Sequence, residues 1–386
     1  MGNNGLSSGG NAKQPPSRVE KAFWYLVNFV ERQLSAEKFI VSNLTPYDVV
    51  MRDGIMSLRH YLPLTDAEIQ VGEEILPVTP ARHRVPLILV PPLAATSNIF
   101  DLLPQRSVVR YFLARGFDVY LIDWGEVTED HTDLSLETYV LDWMPKVMSC
   151  VREQSGQSDI SIFSYCMGGL LTLMYAAAVK DPDIRNIVTV ASPVDMHQSG
   201  VAGRVLSMTY RPAQIISRVL NFSLMDLPSR YLHIPGWLSS AVFKLTNPMG
   251  SLISYWELMV NMWDREYVKT HETMRQWFDD MVDYPGETIK GMAVRMAINN
   301  QMARGRMRMG DGHAEFERIQ CAILAFAGEA DKLVSIKAAR KVLDIVSSSD
   351  KAFYVVPGGH AGVFAGSHAP KNTWEMSADW LAERSS

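Results

Sequence analysis

Short apolar runs alternate with longer amphipathic segments through much of this sequence. The runs are short and largely apolar, which is typical of strands buried in a sheet. They are VPLILVPP (85–92), FDVYLIDW (117–124), DISIFSYC (159–166), IRNIVTVASPVD (184–195), QCAILAFAGEAD (320–331) and AFYVVPGGH (352–360). Helical periodicity lies between or after them, at 107–116, 136–156, 168–182, 336–346 and 373–384. This alternation predicts an α/β protein, with a mostly parallel sheet and helices on both faces.

The alternation stops between residues 196 and 312, a stretch rich in Met and Trp that lacks strand–helix rhythm. We therefore expect a core made of 46–195 and 313–386, interrupted by a mainly helical cap at 196–312. Ligands bind at the carboxyl ends of parallel strands, so a cap at this place in the chain would cover the site. The Met and Trp side chains would line an adaptable apolar surface there, or would fill the interior of the cap.

The segment before the core has two parts. Residues 1–17 are small and polar and are expected to be disordered. Residues 18–45 form a predicted N-terminal helical segment, with apolar residues at helical spacing from Val19 to about Phe39. That helix either packs on the body of the protein or docks to a partner or an apolar surface. A hairpin follows, with its turn at Asp53-Gly54.

Composition narrows the functional class. The net charge is −5 without a strongly basic segment, so nucleic acid is not an expected partner. No apolar run reaches the roughly 18 residues of a membrane span. The N-terminus lacks a hydrophobic signal core, and the odd set of Cys150, Cys166 and Cys321 favours reduced thiols over disulfides. The protein is therefore expected to be cytoplasmic, without a metal or cofactor.

The stretch SYCMGG at 164–169 joins a predicted strand to a predicted helix through a glycine-rich corner. Such a corner projects a nucleophile from a strained turn and directs backbone N–H groups at a developing oxyanion. Cys166 occupies the nucleophile position, and a helix N-terminus favours a thiolate. Ser164 and Gly168 supply the small residues that the corner needs. The alternative is an inert, buried cysteine.

A thiol nucleophile needs a base and a group that orients the base. Asp331 follows one predicted strand and His360 follows the next, which gives the order nucleophile, acid, histidine of α/β hydrolases. Glu329 is the rival acid, and His368 is expected to lie on the surface. We expect the backbone N–H of Met167 to form the oxyanion hole with that of Leu93 or Ala94, of which Ala94 is preferred.

Taken together, the motifs resemble polyhydroxyalkanoate synthases, most closely the short catalytic subunits of the class III and class IV type. The resemblance rests on SYCMGG and on several further stretches between about residue 45 and the C-terminus. These are VPPLAATSNIFDLLPQRSVV (90–109), VYLIDWG (119–125), NPMGSL (247–252), PGET (285–288), GGHAGVFAGS (358–367) and ADWLAER (378–384).

The resemblance implies an α/β-hydrolase fold in which Cys166 is the covalent nucleophile and Asp331 and His360 are its partners. It implies (R)-3-hydroxyacyl-CoA as substrate and a growing polyester chain as product, with coenzyme A as part of the substrate and no separate cofactor. It also implies a homodimer, a second non-catalytic subunit and a location at cytoplasmic polymer granules. The alternatives are a thioesterase or intracellular depolymerase that uses the same triad, and a non-catalytic granule protein.

Three positions depart from the family pattern. Ser164 replaces a glycine of the corner, Lys332 replaces a histidine that usually follows the acid, and Asn98 stands where a tyrosine is common.

Overall fold

A computed structural model describes residues 16–80, 83–200, 224–245 and 248–385. Its centre is an eight-stranded sheet. The strands are β1 Tyr47–Asp53, β2 Met56–Tyr61, β3 Leu87–Val90, β4 Val119–Asp123, β5 Ile160–Tyr165, β6 Ile184–Val190, β7 Ala322–Gly328 and β8 Lys351–Val356.

The strands lie in the order β1-β2-β4-β3-β5-β6-β7-β8. From β4 to β8 every neighbouring pair is parallel, while β1, β2 and β4 pair antiparallel. β4 follows β3 in the chain and pairs with one side of it, while β5 pairs with the other side. The order in which the chain adds strands to the sheet therefore reverses at β3. The carboxyl ends of β5, β7 and β8 meet at one edge, where ligands bind in parallel sheets.

Helices cover both faces of this sheet. Those that the structure describes are α1 Arg18–Leu34, α2 Val108–Ala114, α3 Met144–Ser155, α4 Met167–Val179, α5 Gly236–Leu245, α6 Pro248–Asn261, α7 Arg265–Asp279, α8 Gly286–Gly291, α9 Ile336–Arg340, α10 Val342–Ile345, α11 Gly362–Ala365 and α12 Glu375–Ala382. Turns of π-helix, Thr138–Trp143, Met292–Ile298 and Pro370–Trp374, adjoin α3, α8 and α12.

Two large apolar clusters form the core, one on each face. Leu171 of α4 and Met148 of α3 pack on one face of the sheet, while Phe112 of α2 and Trp374 pack on the other. Strands β3 and β5 are buried along their whole length, because helices shield both of their faces.

Three two-stranded hairpins complete the described strands, and one of them lies partly in the expected cap. They are Glu68–Val71 with Glu74–Pro77, Asp101–Leu103 with Arg106–Ser107, and Arg306–Met309 with Gly312–Glu315. The last one begins inside the stretch 196–312 that was expected to be mainly helical. Met307 and Met309 are buried while Arg306 and Arg308 are exposed, so a period of two prevails there.

The N-terminal helix is shorter than predicted. It begins at Arg18, where Ser17 and Glu20 form a reciprocal capping box, and it ends at Leu34 instead of Phe39. Ala36–Phe39 form a separate short turn, and Phe39 inserts into a small core with Leu258 and Val268. Burial of Phe39 redirects the chain out of the helical path.

No helix in the described parts of the chain is long and apolar enough to cross a membrane. The disorder expected at 1–17 falls almost entirely on residues outside the described part. So do residues 201–223 and 246–247 of the expected cap.

Candidate active site

Cys166 sits at a strained corner between β5 and α4. Its backbone has φ 51° and ψ −119°, a conformation that costs free energy in a residue with a Cβ. The Cys166 amide donates to the carbonyl of Val190 at 2.8 Å, which ties the corner to the end of β6. A Cβ on Gly168 would lie 2.3 Å from the carbonyl oxygen of Val90, so only glycine fits there. The sharp strand-to-helix turn predicted from SYCMGG is therefore present.

Ser164 fits the position that usually holds glycine because its hydroxyl is paired. The side chain is fully buried, and Oγ donates to the carbonyl of Val188 on β6 at 2.7 Å. Gly169 is required beside it for another reason, since a Cβ there would lie 2.1 Å from Oγ of Ser192. The serine therefore adds a hydrogen bond between β5 and β6 without crowding the corner.

The structure brings Cys166, His360 and Asp331 together in one line. Nε2 of His360 lies 3.2 Å from Sγ of Cys166, and Nδ1 of the same ring lies 2.8 Å from Oδ2 of Asp331. The Asp331 carboxylate is completely buried, and the His360 ring is 9% exposed. This is the hydrogen-bond geometry of a nucleophile, its base and the group that orients the base.

A tight turn after β7 aims the Asp331 carboxylate. Oδ1 accepts hydrogen bonds from the amides of Leu333 and Val334 at 2.8 and 2.9 Å, which leaves Oδ2 for His360. The rival, Glu329, is exposed, and its amide bonds to the carbonyl of Val356 on β8. Of the two acids, only Asp331 is hydrogen-bonded to His360 in the described contacts.

Glycines hold the acid loop against the histidine loop. Gly358 has φ 126°, and its carbonyl accepts a hydrogen bond from the amide of Ala330 at 3.0 Å. A Cβ on Gly328 would lie 2.6 Å from that same carbonyl oxygen. The close approach of these two backbones explains the glycine residues before both Asp331 and His360.

The electrostatics of the triad favour a charged imidazole. Burial by itself lowers the pKa of His360, but the charge of Cys166 and the hydrogen bond that the ring donates to Asp331 outweigh burial and raise that pKa to about 10. A proton that His360 accepts is therefore held on the imidazole at neutral pH.

The predicted oxyanion donors lie on the two segments that meet at the nucleophile. Met167 opens α4, and Ala94 lies in the loop after β3. The two segments approach each other closely, as a Cβ on Gly168 would lie only 2.6 Å from the Pro91 carbonyl oxygen. The assignment of Met167 and Ala94 as the oxyanion hole stays a prediction.

Tyr165 is a site residue that the sequence did not reveal. Its hydroxyl donates to the carbonyl of His360 at 3.1 Å, and its ring stacks on Phe364 at 4.2 Å. Burial, together with the charges of Cys166 and Asp331, raises the pKa of Tyr165 far above its usual range, so the phenol stays neutral. Tyr165 thereby fixes the backbone that carries the catalytic base. An aromatic residue directly before the nucleophile was the only signal in the sequence.

A second residue missed from the sequence, Tyr284, lies in a segment of the expected cap that is hydrogen-bonded to the loop after β3. The amide of Val282 donates to the Ala94 carbonyl at 2.9 Å, and Tyr284 exchanges two backbone hydrogen bonds with Ile234. Burial, followed by the charges of Cys166 and Tyr139, raises the pKa of Tyr284. No local pattern joins residue 284 to residue 166.

The remaining positions singled out in the sequence lie around this centre. His368 is exposed, Asn98 is partly buried in the turn after the Ala94 loop, and Lys332 is exposed beside the acid. The carbonyl of Lys332 abuts Gly200, where a Cβ would lie 2.4 Å from its oxygen. The last described residue before 201–223 is therefore packed against the loop of the catalytic acid.

The fold and the triad define a class of protein, and comparisons with known proteins agree. A family model described as the alpha/beta hydrolase fold matches residues 85–365. This chain belongs to the alpha/beta hydrolase fold family, and the fold expected from the sequence is confirmed.

Among curated proteins the chain is similar to poly(3-hydroxyalkanoate) polymerase subunits PhaC from three organisms. The Haloferax mediterranei protein is 30% identical over 88% of this chain and 64% of its own length. The Allochromatium vinosum protein is 29% identical over 79% and 82%, and the Synechocystis protein is 25% identical over 95% and 94%, respectively. The resemblance inferred from the sequence motifs is confirmed. The chain spans less than two thirds of the length of the Haloferax relative.

Proposed function

We propose that this protein is a poly(3-hydroxyalkanoate) polymerase, which joins (R)-3-hydroxyacyl units from coenzyme A thioesters into a polyester. The observation that carries the proposal is the aligned triad, with Cys166 Sγ at 3.2 Å from His360 and His360 at 2.8 Å from Asp331. A cysteine at this corner, together with the named relatives, distinguishes it from the serine hydrolases of the same fold.

In the first step, His360 takes the proton of Cys166 and the thiolate attacks the thioester carbonyl. The tetrahedral oxyanion lies against the backbone N–H groups of Met167 and Ala94, and coenzyme A leaves as the thiol after protonation from His360. The acyl group passes from one thioester to another, so the step is close to thermoneutral. An ester on serine would lose the activation that the next bond requires.

In the second step, the 3-hydroxyl of the chain or of an incoming monomer attacks the acyl-cysteine. His360 accepts the hydroxyl proton, and Asp331 stabilises the imidazolium that results. Water at this stage would release a free acid instead of polymer. The amide of Val282 is hydrogen-bonded to the carbonyl of Ala94, and we propose that the segment of the cap around it limits the access of water.

The decisive experiment gives the purified protein (R)-3-hydroxybutyryl-CoA and identifies the products. Polymer together with free coenzyme A supports the proposal. Free 3-hydroxybutyrate with coenzyme A would instead identify a thioesterase or depolymerase with the same triad.

The nucleophile has its own test. We expect Cys166→Ala to lower coenzyme A release by at least about a thousandfold, because no acyl-enzyme can form. Ser367→Ala, at an exposed position near the C-terminus, is the control and should retain full activity. Full turnover by the Cys166 variant would overturn the assignment.

We extend the proposal to the assembly. The protein is proposed to act as a homodimer with a second, non-catalytic subunit, at the surface of polyester granules in the cytoplasm. The names of the three relatives, each described as a polymerase subunit, support the second component. The stretch 196–312 is proposed to be the cap through which monomer reaches Cys166.

A further inference from the structure

The stretch VYLIDWG at 119–125, which the triad does not use, ends in a turn that positions one indole ring. Strand β4 ends at Asp123, whose carboxylate accepts a hydrogen bond from the amide of Gly125 at 3.2 Å. Gly125 has φ 78°, and a Cβ on it would lie 2.1 Å from the carbonyl oxygen of Ile55. Asp123 and Gly125 therefore fix the turn that carries Trp124.

Trp124 extends from β4 to the end of the neighbouring strand β3. Its indole Nε1–H donates to the carbonyl of Pro91 at 3.0 Å, and the residue is 5% exposed. Two further aromatic residues hold the ring, since it lies edge-on to Tyr139 at 5.3 Å and nearly parallel to Trp143 at 6.3 Å. Packing on these sides fixes the direction in which the indole N–H points.

The Pro91 carbonyl needs a donor that the adjoining backbone does not supply. Strand β3 ends at Val90, and its pairing with β4 and β5 goes no further along the chain. The next two residues, Pro91 and Pro92, are both buried and have no backbone N–H. A buried carbonyl without a donor costs free energy, and the indole of Trp124 removes that cost.

The same carbonyl lies against the corner that carries the nucleophile. A Cβ on Gly168, the second residue of α4, would lie 2.6 Å from the Pro91 oxygen. The first residue of α4 is Met167, and Ala94 follows Pro91 by three residues. A shift of the carbonyl that Trp124 holds would therefore change the spacing between the two predicted oxyanion donors.

We propose that Trp124 is a positioning residue for the oxyanion hole, because its indole N–H holds the Pro91 carbonyl and thereby sets where the Ala94 amide lies. This inference deepens the proposed function and rests on it for acyl transfer to Cys166. Oxyanion donors act only at hydrogen-bond distance from the charge that develops in the transition state. Loss of the indole N–H should therefore slow acylation of Cys166 and leave its contact with His360 unchanged.

Two reactions of Cys166 separate this role from general support of the fold. In acylation by p-nitrophenyl butyrate, the thiolate adds to the ester carbonyl, and collapse of the tetrahedral oxyanion releases p-nitrophenolate, which is measured. Alkylation by iodoacetamide is a direct displacement of iodide that forms no oxyanion, so its rate depends on the thiolate and its base. Mass spectrometry of the Cys166 peptide distinguishes this alkylation from that of Cys150 and Cys321.

We expect Trp124→Phe to lower the acylation rate at least about tenfold and to leave the alkylation rate within about twofold of the wild type. Trp143→Phe is the matched control, since Trp143 is 4% exposed in the same aromatic cluster and its substitution retains the bond to Pro91. It should leave both rates near those of the wild type.

Two results of this comparison would overturn the proposal. An equal loss of acylation and alkylation in Trp124→Phe would show that the residue only supports the fold around Cys166. Acylation at the wild-type rate would show that the hydrogen bond to Pro91 is dispensable.

A second replacement covers the case in which Trp124→Phe fails to fold. Site-specific incorporation of 3-benzothienylalanine at position 124 retains the shape of the tryptophan ring but places sulfur where the N–H was. We expect the same loss of acylation, with alkylation and the melting temperature near those of the wild type. Acylation at the wild-type rate would overturn the proposal, because the hydrogen bond to Pro91 is the interaction that this replacement removes.

The outcomes also separate this inference from the proposed function, because the ester requires neither coenzyme A nor polymer. A wild type that is acylated by the ester but makes no polymer from (R)-3-hydroxybutyryl-CoA refutes the polymerase and leaves the role of Trp124 standing. A wild type that makes polymer, with Trp124→Phe acylated at the full rate, refutes the role of Trp124 alone.

Discussion

Ser164 shows how one side chain can change a corner that usually demands glycine. Its hydroxyl donates to the Val188 carbonyl. Serine thus lacks the backbone freedom of glycine but adds a hydrogen bond between β5 and β6. The departure from the family pattern thus concerns the stability of the corner. Cys166 keeps its position beside His360.

We expect Ser164→Ala to lower the free energy of unfolding by about 1 kcal/mol, because the buried carbonyl loses its donor. Coenzyme A release per folded molecule should change by less than about twofold, as the triad is untouched. Thermal unfolding and a steady-state assay check both values. An unchanged melting temperature would contradict the role given to this hydrogen bond.

The second prediction at this scale concerns the charge on His360. Its raised pKa of about 10 depends mainly on the charge of Cys166, so Cys166→Ala should move the titration of His360 to lower pH. NMR spectra of protein labelled at the histidine nitrogens measure the titration of His360. A titration that does not move would show that Asp331 alone sets the pKa.

The same shift affects stability. A folded pKa above the unfolded value of about 6.5 contributes stability that is present below that pH. It is lost as pH rises through about 10. Cys166→Ala should therefore flatten the loss of stability between these two pH values.

Sequence reasoning named the three triad residues because each follows a strand in a recognisable order. It missed Tyr165 and Tyr284 for a physical reason. The hydrogen bond from Tyr165 to the His360 carbonyl and those between Tyr284 and Ile234 join residues far apart in the chain, and only folding creates them. Local patterns report strands, turns and glycines, and they do not report which side chains meet across them.

At the scale of elements, apolar runs predicted the buried strands well. β3 and β5 are buried on both faces, so their sequences carry no competing pattern. The hairpin Arg306–Glu315 was missed although RMRM alternates and a glycine-containing turn follows. Because helical sequence precedes this hairpin, the change from helical to strand periodicity was not recognised. The end of α1 was missed because burial of Phe39 is a tertiary effect.

The attachment of α1 depends on Glu272, and this gives a prediction with a defined pH range. Burial alone raises the pKa of Glu272, but hydrogen bonds from His271, Arg32 and Arg275 outweigh it and lower that pKa to about 2. A lowered pKa contributes stability above about pH 4.5 that is lost as pH falls towards 2.

We therefore expect acid to increase the hydrogen exchange of α1 relative to α4 in the wild type. Glu272→Gln should show faster exchange of α1 already at pH 6, with a weaker acid dependence. Glu266→Gln, at an exposed position on α7, is the control and should behave as the wild type. If the hydrogen exchange of α1 depended equally on acid in Glu272→Gln and in Glu266→Gln, Glu272 would be ruled out as the anchor.

At the scale of the whole molecule, the segment 281–284 joins the expected cap to the loop after β3. The amide of Val282 donates to Ala94, and Asp283 binds both His233 at 2.9 Å and the amide of Gly236 at 2.6 Å. The position of the Ala94 loop is therefore coupled to elements far away in the chain.

Val282→Pro removes the donor to Ala94 and tests this coupling. We expect it to lower coenzyme A release by roughly tenfold or more, because the oxyanion loop loses its brace. Val282→Ala retains the amide and should stay close to the wild type. Melting of the core should be nearly unchanged in both. Equal activity of the two variants would show that the brace is dispensable.

Lys332 is joined to its surroundings through its backbone carbonyl, against Gly200, while its side chain is exposed. Substitutions there leave the Asp331 carboxylate in place, since that carboxylate is held by the amides of Leu333 and Val334. The charge at position 332 can therefore change without displacing the neighbouring carboxylate that orients His360. The charge beside the triad and the triad itself can therefore be altered independently of each other.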